Sequence, residues 1–270
     1  MATSLMLQDR VALVFGGGGS IGAAVARQYA SEGARVFLSG RTAQTVEQVA
    51  KEIAEAGGRA QADTVDALDE TAVSQYIDSV VAQAGRVDIE FNATGPRATE
   101  YANGTPAVDL PAGLFSVPVK TVLQSQYITA RAAARHMLTQ GSGVIVFLTG
   151  SPARPHLGGT TAIGAAFGAI ENLTRTMAIE LGPAGVRVVC LRTAANPDSR
   201  TIQETGELFA KATNGASDSR QMTDSLAQGT MLKRSPTTAD TARAAVLLAS
   251  DSARMMTGAV LNASAGTVWD

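Results

Sequence analysis

A glycine-rich turn after the first apolar run is the clearest candidate for chemistry in this sequence. The run Val11–Phe15 leads into Gly16-Gly17-Gly18-Gly19-Ser20-Ile21-Gly22, and a segment of helical period follows. Glycines let a backbone approach a diphosphate closely, while a helix start offers free N–H groups and the positive end of its dipole. The pattern therefore predicts a dinucleotide site. Its predicted contacts are Gly16, Gly18, Gly19, Ser20, Ile21 and Gly22.

The residues after the second apolar run predict which dinucleotide is bound. In Ser39-Gly40-Arg41 a glycine stands where an acidic residue would bind the ribose hydroxyls of NAD and repel a 2′-phosphate. The guanidinium of Arg41 pairs well with a phosphate. The sequence favours NADP(H) over NAD(H). The alternative is that Arg41 is an ordinary surface charge ahead of a helix.

Three side chains near the predicted fifth strand are candidates for proton transfer or ligand orientation. Thr149 and Ser151 carry hydroxyls, although such residues more often only end a strand. His156 follows in a loop, and its imidazole titrates near neutrality, so it is either an acid–base group or a solvated loop residue. Arg192, at the end of the sixth strand, is a candidate ligand for an anionic group at the rim of the cleft.

Composition narrows the function classes. The chain has 270 residues, a formal charge of −2 and no basic stripe, which argues against a nucleic-acid partner. Its only cysteine, Cys190, lies in an apolar run and predicts a reducing, cytoplasmic location. No signal peptide is recognised, and no apolar run reaches the ~20 residues of a membrane helix. Two distant histidines and one cysteine predict no metal site.

The elements that would position these residues alternate along the chain. Short apolar runs alternating with helical segments predict one domain over 1–270, a Rossmann-type, doubly wound, parallel seven-stranded α/β sheet with helices on both faces. Its ligand site is expected beyond the carboxyl ends of the strands. The predicted strands are 11–15, 35–39, 60–64, 87–91, 144–149, 186–191 and 260–262. The predicted helices are 21–32, 42–56, 69–84, 119–140, 161–181 and 238–250.

Two long segments, 96–118 and 194–232, show no strong pattern. Loops of this length inside a compact domain usually bind or cover a ligand. Ser, Asn, Asp and Gly crowd 213–220, which suggests a mobile lid over the substrate at about 194–232. A tolerated surface insertion is the equal alternative.

The opening strand and turn resemble those of the short-chain dehydrogenase/reductase family, in which Gly-x-x-x-Gly-x-Gly follows the first strand. Gly16 and Gly22 match the outer glycines, and Ser20 replaces the middle one. The resemblance extends over essentially the whole chain. It implies further cofactor contacts at Asp66, at Asn92, Ala93 and Gly95 of the segment Asn92-Ala93-Thr94-Gly95, and at Thr193.

The resemblance also implies a Ser-Tyr-Lys site, and this sequence departs from it. On the helix 161–181, Ile163 occupies the tyrosine position and Phe167 the lysine position, with no gap in the register. Gly150 falls at the serine position, and Val122 lies near the position of the family's asparagine. None of these four side chains can exchange a proton, so the presumed site is apolar.

Three functions remain open from the sequence. One is a divergent NADP(H)-dependent oxidoreductase that reduces an activated C=C or C=N bond. Another is a lyase, isomerase or cyclase on the same scaffold, and the third is a catalytically silent nucleotide-binding protein. Ile163 and Phe167 predict a small, apolar ligand, with the equal alternative that they pack the former site shut. The family resemblance and the small residues of 130–134 and 164–169 imply a homodimer or homotetramer.

Overall fold

Apolar strands separated by helices build a single parallel sheet, as the sequence predicts. The computed structural model describes residues 5–154, 157–212 and 219–269. The strands are β1 (Val11–Phe15), β2 (Arg35–Gly40), β3 (Arg59–Thr64), β4 (Ile89–Asn92), β5 (Gly143–Gly150), β6 (Val186–Thr193) and β7 (Val260–Asn262). Their order is β3-β2-β1-β4-β5-β6-β7, and every neighbouring pair is parallel. The strand order reverses between β1 and β4, so the crevice at the carboxyl ends of these two strands is the expected ligand site.

Helices cover both faces of the sheet. They are α1 (Ser20–Ser31), α2 (Ala43–Glu55), α3 (Glu70–Ala84), α4 (Ala112–Pro118), α5 (Gln124–Gln140), α6 (Thr161–Leu181), α7 (Arg200–Ala212), α8 (Ser219–Gly229) and α9 (Thr238–Ala249). One buried core lies between the sheet and α3, α5 and α6, and the other lies under α1, α2 and α9. The fold class and the single domain are confirmed.

Local signals explain several helix ends. The carboxylate of Asp69 accepts hydrogen bonds from the N–H groups of Thr71 and Ala72, which begins α3. Gly85, at φ +76°, ends it in the left-handed conformation that glycine adopts without steric cost. Thr237 and Asp240 form a capping box that begins α9.

The two segments without a strong pattern contain helices that the sequence did not reveal. Residues 112–118 form α4, a π-helical turn covers Val119–Leu123, and only then does α5 begin, so the prediction of one helix over 119–140 is wrong at its start. Most of the predicted lid is helical, in α7 and α8. Residues 155–156 and 213–218 lie outside the described part of the chain, and so does part of the predicted lid.

The small residues proposed as an oligomer face divide into two cases. Ala130, Ala132, Ala133 and Ala134 are buried within the chain itself, so these four side chains are not available to a partner. The stretch 164–169 of α6 keeps exposed positions, and the prediction for it stands untested. Within the described residues, the structure has no helix long and apolar enough to span a membrane.

Candidate nucleotide and substrate site

The turn between β1 and α1 has a backbone that only glycine allows at two positions. Gly16 has φ +71°, and a Cβ atom there would lie 2.8 Å from the carbonyl carbon of Ala93, at the end of β4. A Cβ atom at Gly22 would run into the carbonyl oxygen of Gly16. The loops after β1 and β4 therefore meet at van der Waals distance, and the first turn of α1 opens beside them. This cradle fits the diphosphate of a dinucleotide.

The end of β2 supports the same turn. The N–H of Gly17 donates to the carbonyl oxygen of Ser39 at 2.9 Å, and Gly18 abuts the side chain of Thr45 in α2. Arg41 follows β2 directly and is exposed. No ion pair of Arg41 with another described residue is found, so its guanidinium can serve a ligand at this edge.

Asp66 lies two residues beyond β3 and is exposed. Its Oδ1 accepts a hydrogen bond from the N–H of Leu68 at 3.0 Å, which closes a tight turn before α3. The N–H of Val65 donates to the carbonyl oxygen of Gly40, so this turn is tied to the end of β2. The structure places Asp66 at the same end of the sheet as the glycine turn.

Asn92 has a scaffolding role that sequence reasoning did not identify. Its side chain is fully buried, donates to the Thr129 hydroxyl at 2.9 Å and accepts from the N–H of Thr94 at 2.7 Å. It therefore orients the turn that carries Ala93 and Gly95. The Asn92 side chain is thus occupied by contacts within the chain, and its predicted contact with a cofactor stays a prediction.

Thr193, the last residue of β6, faces away from the crevice. Its hydroxyl oxygen lies 2.8 Å from the hydroxyl oxygen of Thr241 in α9. The whole residue is only 4% exposed. Any contact of Thr193 with a cofactor is therefore made by its backbone.

The positions that the sequence predicts to match the family's catalytic side chains are apolar and packed. Ile163 and Val122 are both buried in the core on the α5 and α6 side of the sheet. The Val122 side chain also approaches Gly95, where a Cβ atom would lie 3.9 Å from it. The π-helical turn containing Val122 is a type often found at functional sites.

Phe167 lies directly against Gly150. A Cβ atom at Gly150 would be 3.0 Å from Cε2 of the ring, closer than ordinary van der Waals contact. The aromatic ring therefore fills the space that a serine side chain at 150 would need.

Two of the three candidate proton-transfer residues can be located. Thr149 is 1% exposed, and its hydroxyl lies 3.3 Å from the Sγ of buried Cys190, so the structure gives it a core contact, and its role toward a ligand stays a prediction. Ser151 begins a short turn after β5 and is 5% exposed, and its hydroxyl has no hydrogen bond to any described residue. His156 lies outside the described residues, so its role remains a prediction.

Arg192 forms a buried ion pair and does not reach the rim of the cleft as expected. Its Nε and Nη2 donate to the two carboxylate oxygens of Glu171 at 2.6 and 2.9 Å, and both side chains are 1% exposed or less. Arg154 also contacts Glu171, at 3.1 Å. Arg192 and Arg154 thus join β6 and the loop after β5 to Glu171, which lies on α6 one helical turn after Phe167.

Cys190 lies beside this ion pair. Burial raises the pKa of its thiol to about 12, which keeps it protonated and unreactive at neutral pH. The structural interpretation of Cys190 as a core residue therefore fits its surroundings.

Helix α7 crosses the crevice, and its contacts were not anticipated. Glu204 accepts hydrogen bonds from Arg97, in the loop after β4, with 3.0 Å to Nε and 2.8 Å to Nη2. At the start of α7, the N–H of Arg200 donates to the Ser20 hydroxyl at 3.1 Å. The available signal was the amphipathic spacing within 200–212, which Gly206 interrupts.

The fold defines a Rossmann-type α/β protein. A family model described as enoyl-(acyl carrier protein) reductase matches residues 17–267. D-threitol dehydrogenase of Mycolicibacterium smegmatis is 31% identical over 255 residues, covering 94% of this chain and 91% of that protein. 7α-Hydroxysteroid dehydrogenase of Escherichia coli is 28% identical over 266 residues, covering 98% and 96%. The chain belongs to the short-chain dehydrogenase/reductase family.

Solved structures agree with this assignment. A 7α-hydroxysteroid dehydrogenase complexed with NADH and 7-oxo glycochenodeoxycholic acid superposes with a TM-score of 0.83 at 26% identity, covering 99% of this chain and 97% of that one. A NAD⁺-bound xylitol dehydrogenase gives a TM-score of 0.87 at 26% identity, covering 96% and 99%. The protein thus has the Rossmann-type fold of a family of oxidoreductases.

Proposed function

We propose that this protein binds NADP(H) and is a divergent oxidoreductase that reduces an activated C=C or C=N bond without a tyrosine acid. The proposal rests on the contrast between the two halves of the crevice, the nucleotide half and the substrate half. The glycine cradle at Gly16 and Gly22 is shaped for a diphosphate, whereas Ile163, Phe167 and Gly150 make the adjoining region apolar.

The nucleotide half of the site supports NADP(H). The N–H groups at the start of α1 face a diphosphate, and Arg41 supplies a cation for a 2′-phosphate. In this proposal the exposed Asp66 contacts the adenine end of the cofactor. The backbone near Ala93, Gly95 and Thr193 contacts the rest of the cofactor. When bound, the nicotinamide supplies the hydride, and the chain holds and orients the ring.

The substrate half supports a reaction with little need for a protein acid. Loss of a general acid slows a reaction typically by ~10²–10⁴-fold without preventing hydride transfer. A ketone would form its alkoxide beside Ile163, whose side chain has no proton to donate, so ordinary ketone reduction is disfavoured. Hydride addition to a conjugated C=C bond delocalises the charge, and the proton then comes from water, Ser151 or His156. The description of the matching family model, an enoyl reductase, agrees with this bond type.

A catalytically silent nucleotide-binding protein is the second candidate. It is favoured by the contact of Phe167 with Gly150, since an aromatic ring packed over the serine position leaves that position closed. Both candidate functions include a small apolar ligand, a homodimer or homotetramer, and a cytoplasmic location.

The test is a titration of the purified protein with NADPH and NADH, followed by nicotinamide fluorescence, for the wild type and Arg41→Ala. The expected result is tighter binding of NADPH, reduced at least ~10-fold in the variant, with NADH affinity unchanged. Arg254→Ala is the matched control, because Arg254 is an exposed arginine near the opposite end of the sheet. Absence of micromolar binding by either nucleotide would overturn the proposal.

A second measurement separates the two candidates. The wild type is incubated with NADPH and a panel of α,β-unsaturated carbonyl compounds and imines, and oxidation of NADPH is followed by absorbance. Turnover of any of them supports the oxidoreductase. Tight NADPH binding without turnover across the panel supports the silent nucleotide-binding protein.

A further inference from the structure

The starts of two helices meet at the nucleotide cradle through one hydroxyl. Ser20 is the first residue of α1, and Arg200 is the first residue of α7. The backbone N–H of Arg200 donates to Ser20 Oγ at 3.1 Å across 180 residues of sequence. Ser20 stands where the family has its middle glycine, so this bond depends on a residue in which the chain departs from the family.

The bond is held in place by the segment before α7. The Asn196 amide donates to the carbonyl oxygen of Pro236 at 2.8 Å, and Asp198 accepts from the N–H and the hydroxyl of Thr238 at 3.0 and 2.6 Å. These contacts tie the approach to α7 to the start of α9. The Arg200 N–H is therefore presented to Ser20 by an ordered backbone.

On the far side of the crevice, α7 is tied to the loop after β4. Glu204, 9% exposed, accepts from Arg97 there. Four residues, about one helical turn, separate Arg200 from Glu204. Helix α7 thus joins the loops after β1 and β4, which flank the reversal in strand order where the nucleotide is expected.

A serine hydroxyl has one proton to donate and two lone pairs to accept. The Arg200 N–H uses one lone pair of Ser20, so the proton is available to an oxygen of a bound diphosphate. We propose that Ser20 is a positioning residue that links cofactor binding to α7, donating to the diphosphate while accepting from Arg200. This inference rests on the proposed binding of NADP(H).

The test compares amide hydrogen exchange of 200–212 with and without NADPH, in parallel with NADPH affinity. In the wild type, NADPH is expected to slow exchange at the start of α7 by about 5–10-fold. Ser20→Ala removes the hydroxyl and is expected to weaken NADPH binding by about 10-fold and to abolish the NADPH-dependent protection of α7. Ser31→Ala, at the exposed end of the same helix, is the matched control.

A second pair of variants tests the link from the α7 side. Arg200→Pro removes the N–H donor at a first helical position, where proline is tolerated, and Arg200→Ala keeps the N–H while removing the guanidinium. Arg200→Pro is expected to lose the NADPH-dependent protection and Arg200→Ala to keep it. The link is overturned if the Ser20→Ala or Arg200→Pro protein retains wild-type protection.

The outcomes also distinguish this inference from the proposed function. A wild type that binds NADPH without any change in α7 exchange leaves the proposed function standing and refutes the link. A wild type that binds neither NADPH nor NADH refutes both.

Discussion

The ring of Phe167 lies against Gly150, with Cε2 3.0 Å from where a Cβ atom at that glycine would be. One residue is on α6 and the other ends β5, and both are predicted to match catalytic positions of the family. Their contact means that a side chain added at position 150 would press against the ring at position 167.

Gly150→Ser is therefore expected to destabilise the protein by about 1–3 kcal/mol through overpacking against Phe167. The backbone at Gly150, φ −126° and ψ 172°, suits serine, so the cost comes from the contact alone. The unfolding free energy is measured in urea. The double variant Gly150→Ser/Phe167→Ala should lose less of it than the two single variants lose together. Gly168→Ser, where a Cβ meets no atom within 4 Å, is the control. Equal stability of the Gly150→Ser protein and the wild type would contradict the contact.

Gly22→Ala is expected to reduce nucleotide affinity at least ~10-fold, because its Cβ would displace the carbonyl of Gly16 and distort the cradle. Fluorescence titration with NADPH gives the affinity, and the Tm of the apo protein reports on folding. Gly182→Ala, in a helical conformation with no atom within 4 Å of the added Cβ, is the comparison variant. Unchanged affinity in Gly22→Ala would mean that the diphosphate does not approach this turn.

Glu171→Gln should cost about 3–5 kcal/mol of unfolding free energy, because it leaves the buried guanidinium of Arg192 without its carboxylate. Replacing both residues, in Glu171→Leu/Arg192→Met, is expected to cost less than the sum of the single changes. The exposed pair of Lys51 and Glu55, 3.8 Å apart, provides the control, since Glu55→Gln should cost under about 1 kcal/mol. Denaturant unfolding of these variants measures the coupling energy between Glu171 and Arg192. Additive losses of unfolding free energy would show that the two side chains do not stabilise each other.

Because Glu90 is buried, we expect the folded protein to become less stable as the pH rises. Its carboxylate is fully buried in β4, and burial raises its pKa from 4.5 to about 8, although the nearby Thr129 hydroxyl acts in the opposite direction. The folded state therefore keeps a proton that the unfolded state releases, so stability falls as pH rises from about 4.5 to about 8 and then levels off.

The measurement for Glu90 is the difference in unfolding free energy between Glu90→Leu and the wild type at several pH values. It should grow in favour of the variant by up to ~1.4 kcal/mol per pH unit across that range. Exposed Glu47→Gln should show no such trend. A difference that does not vary between pH 5 and 8 would show that Glu90 is not a buried titrating group.

The sequence predicted the sheet more accurately than the segments that cover it. β1 and β7 match their predicted bounds, and α6 does as well, because their apolar periods are unbroken. β4 begins two residues later than predicted, and the Asp88 carboxylate just before it accepts a hydrogen bond from the N–H of Val11 at 2.8 Å. Helices α4, α7 and α8 were missed because polar residues, glycine or proline interrupt their periodicity, and contacts such as that of Glu204 with Arg97 stabilise them.

The alternation of strands and helices, the glycine turn at Gly16–Gly22 and the apolar character of Ile163 and Phe167 could be read directly from the sequence. These are local or periodic properties, readable along the chain. Tertiary structure alone decided that Thr149 faces Cys190, that Arg192 pairs with Glu171 and that Ser20 receives the N–H of Arg200. These relationships join residues 21 to 180 positions apart, and their geometry depends on how separate elements pack.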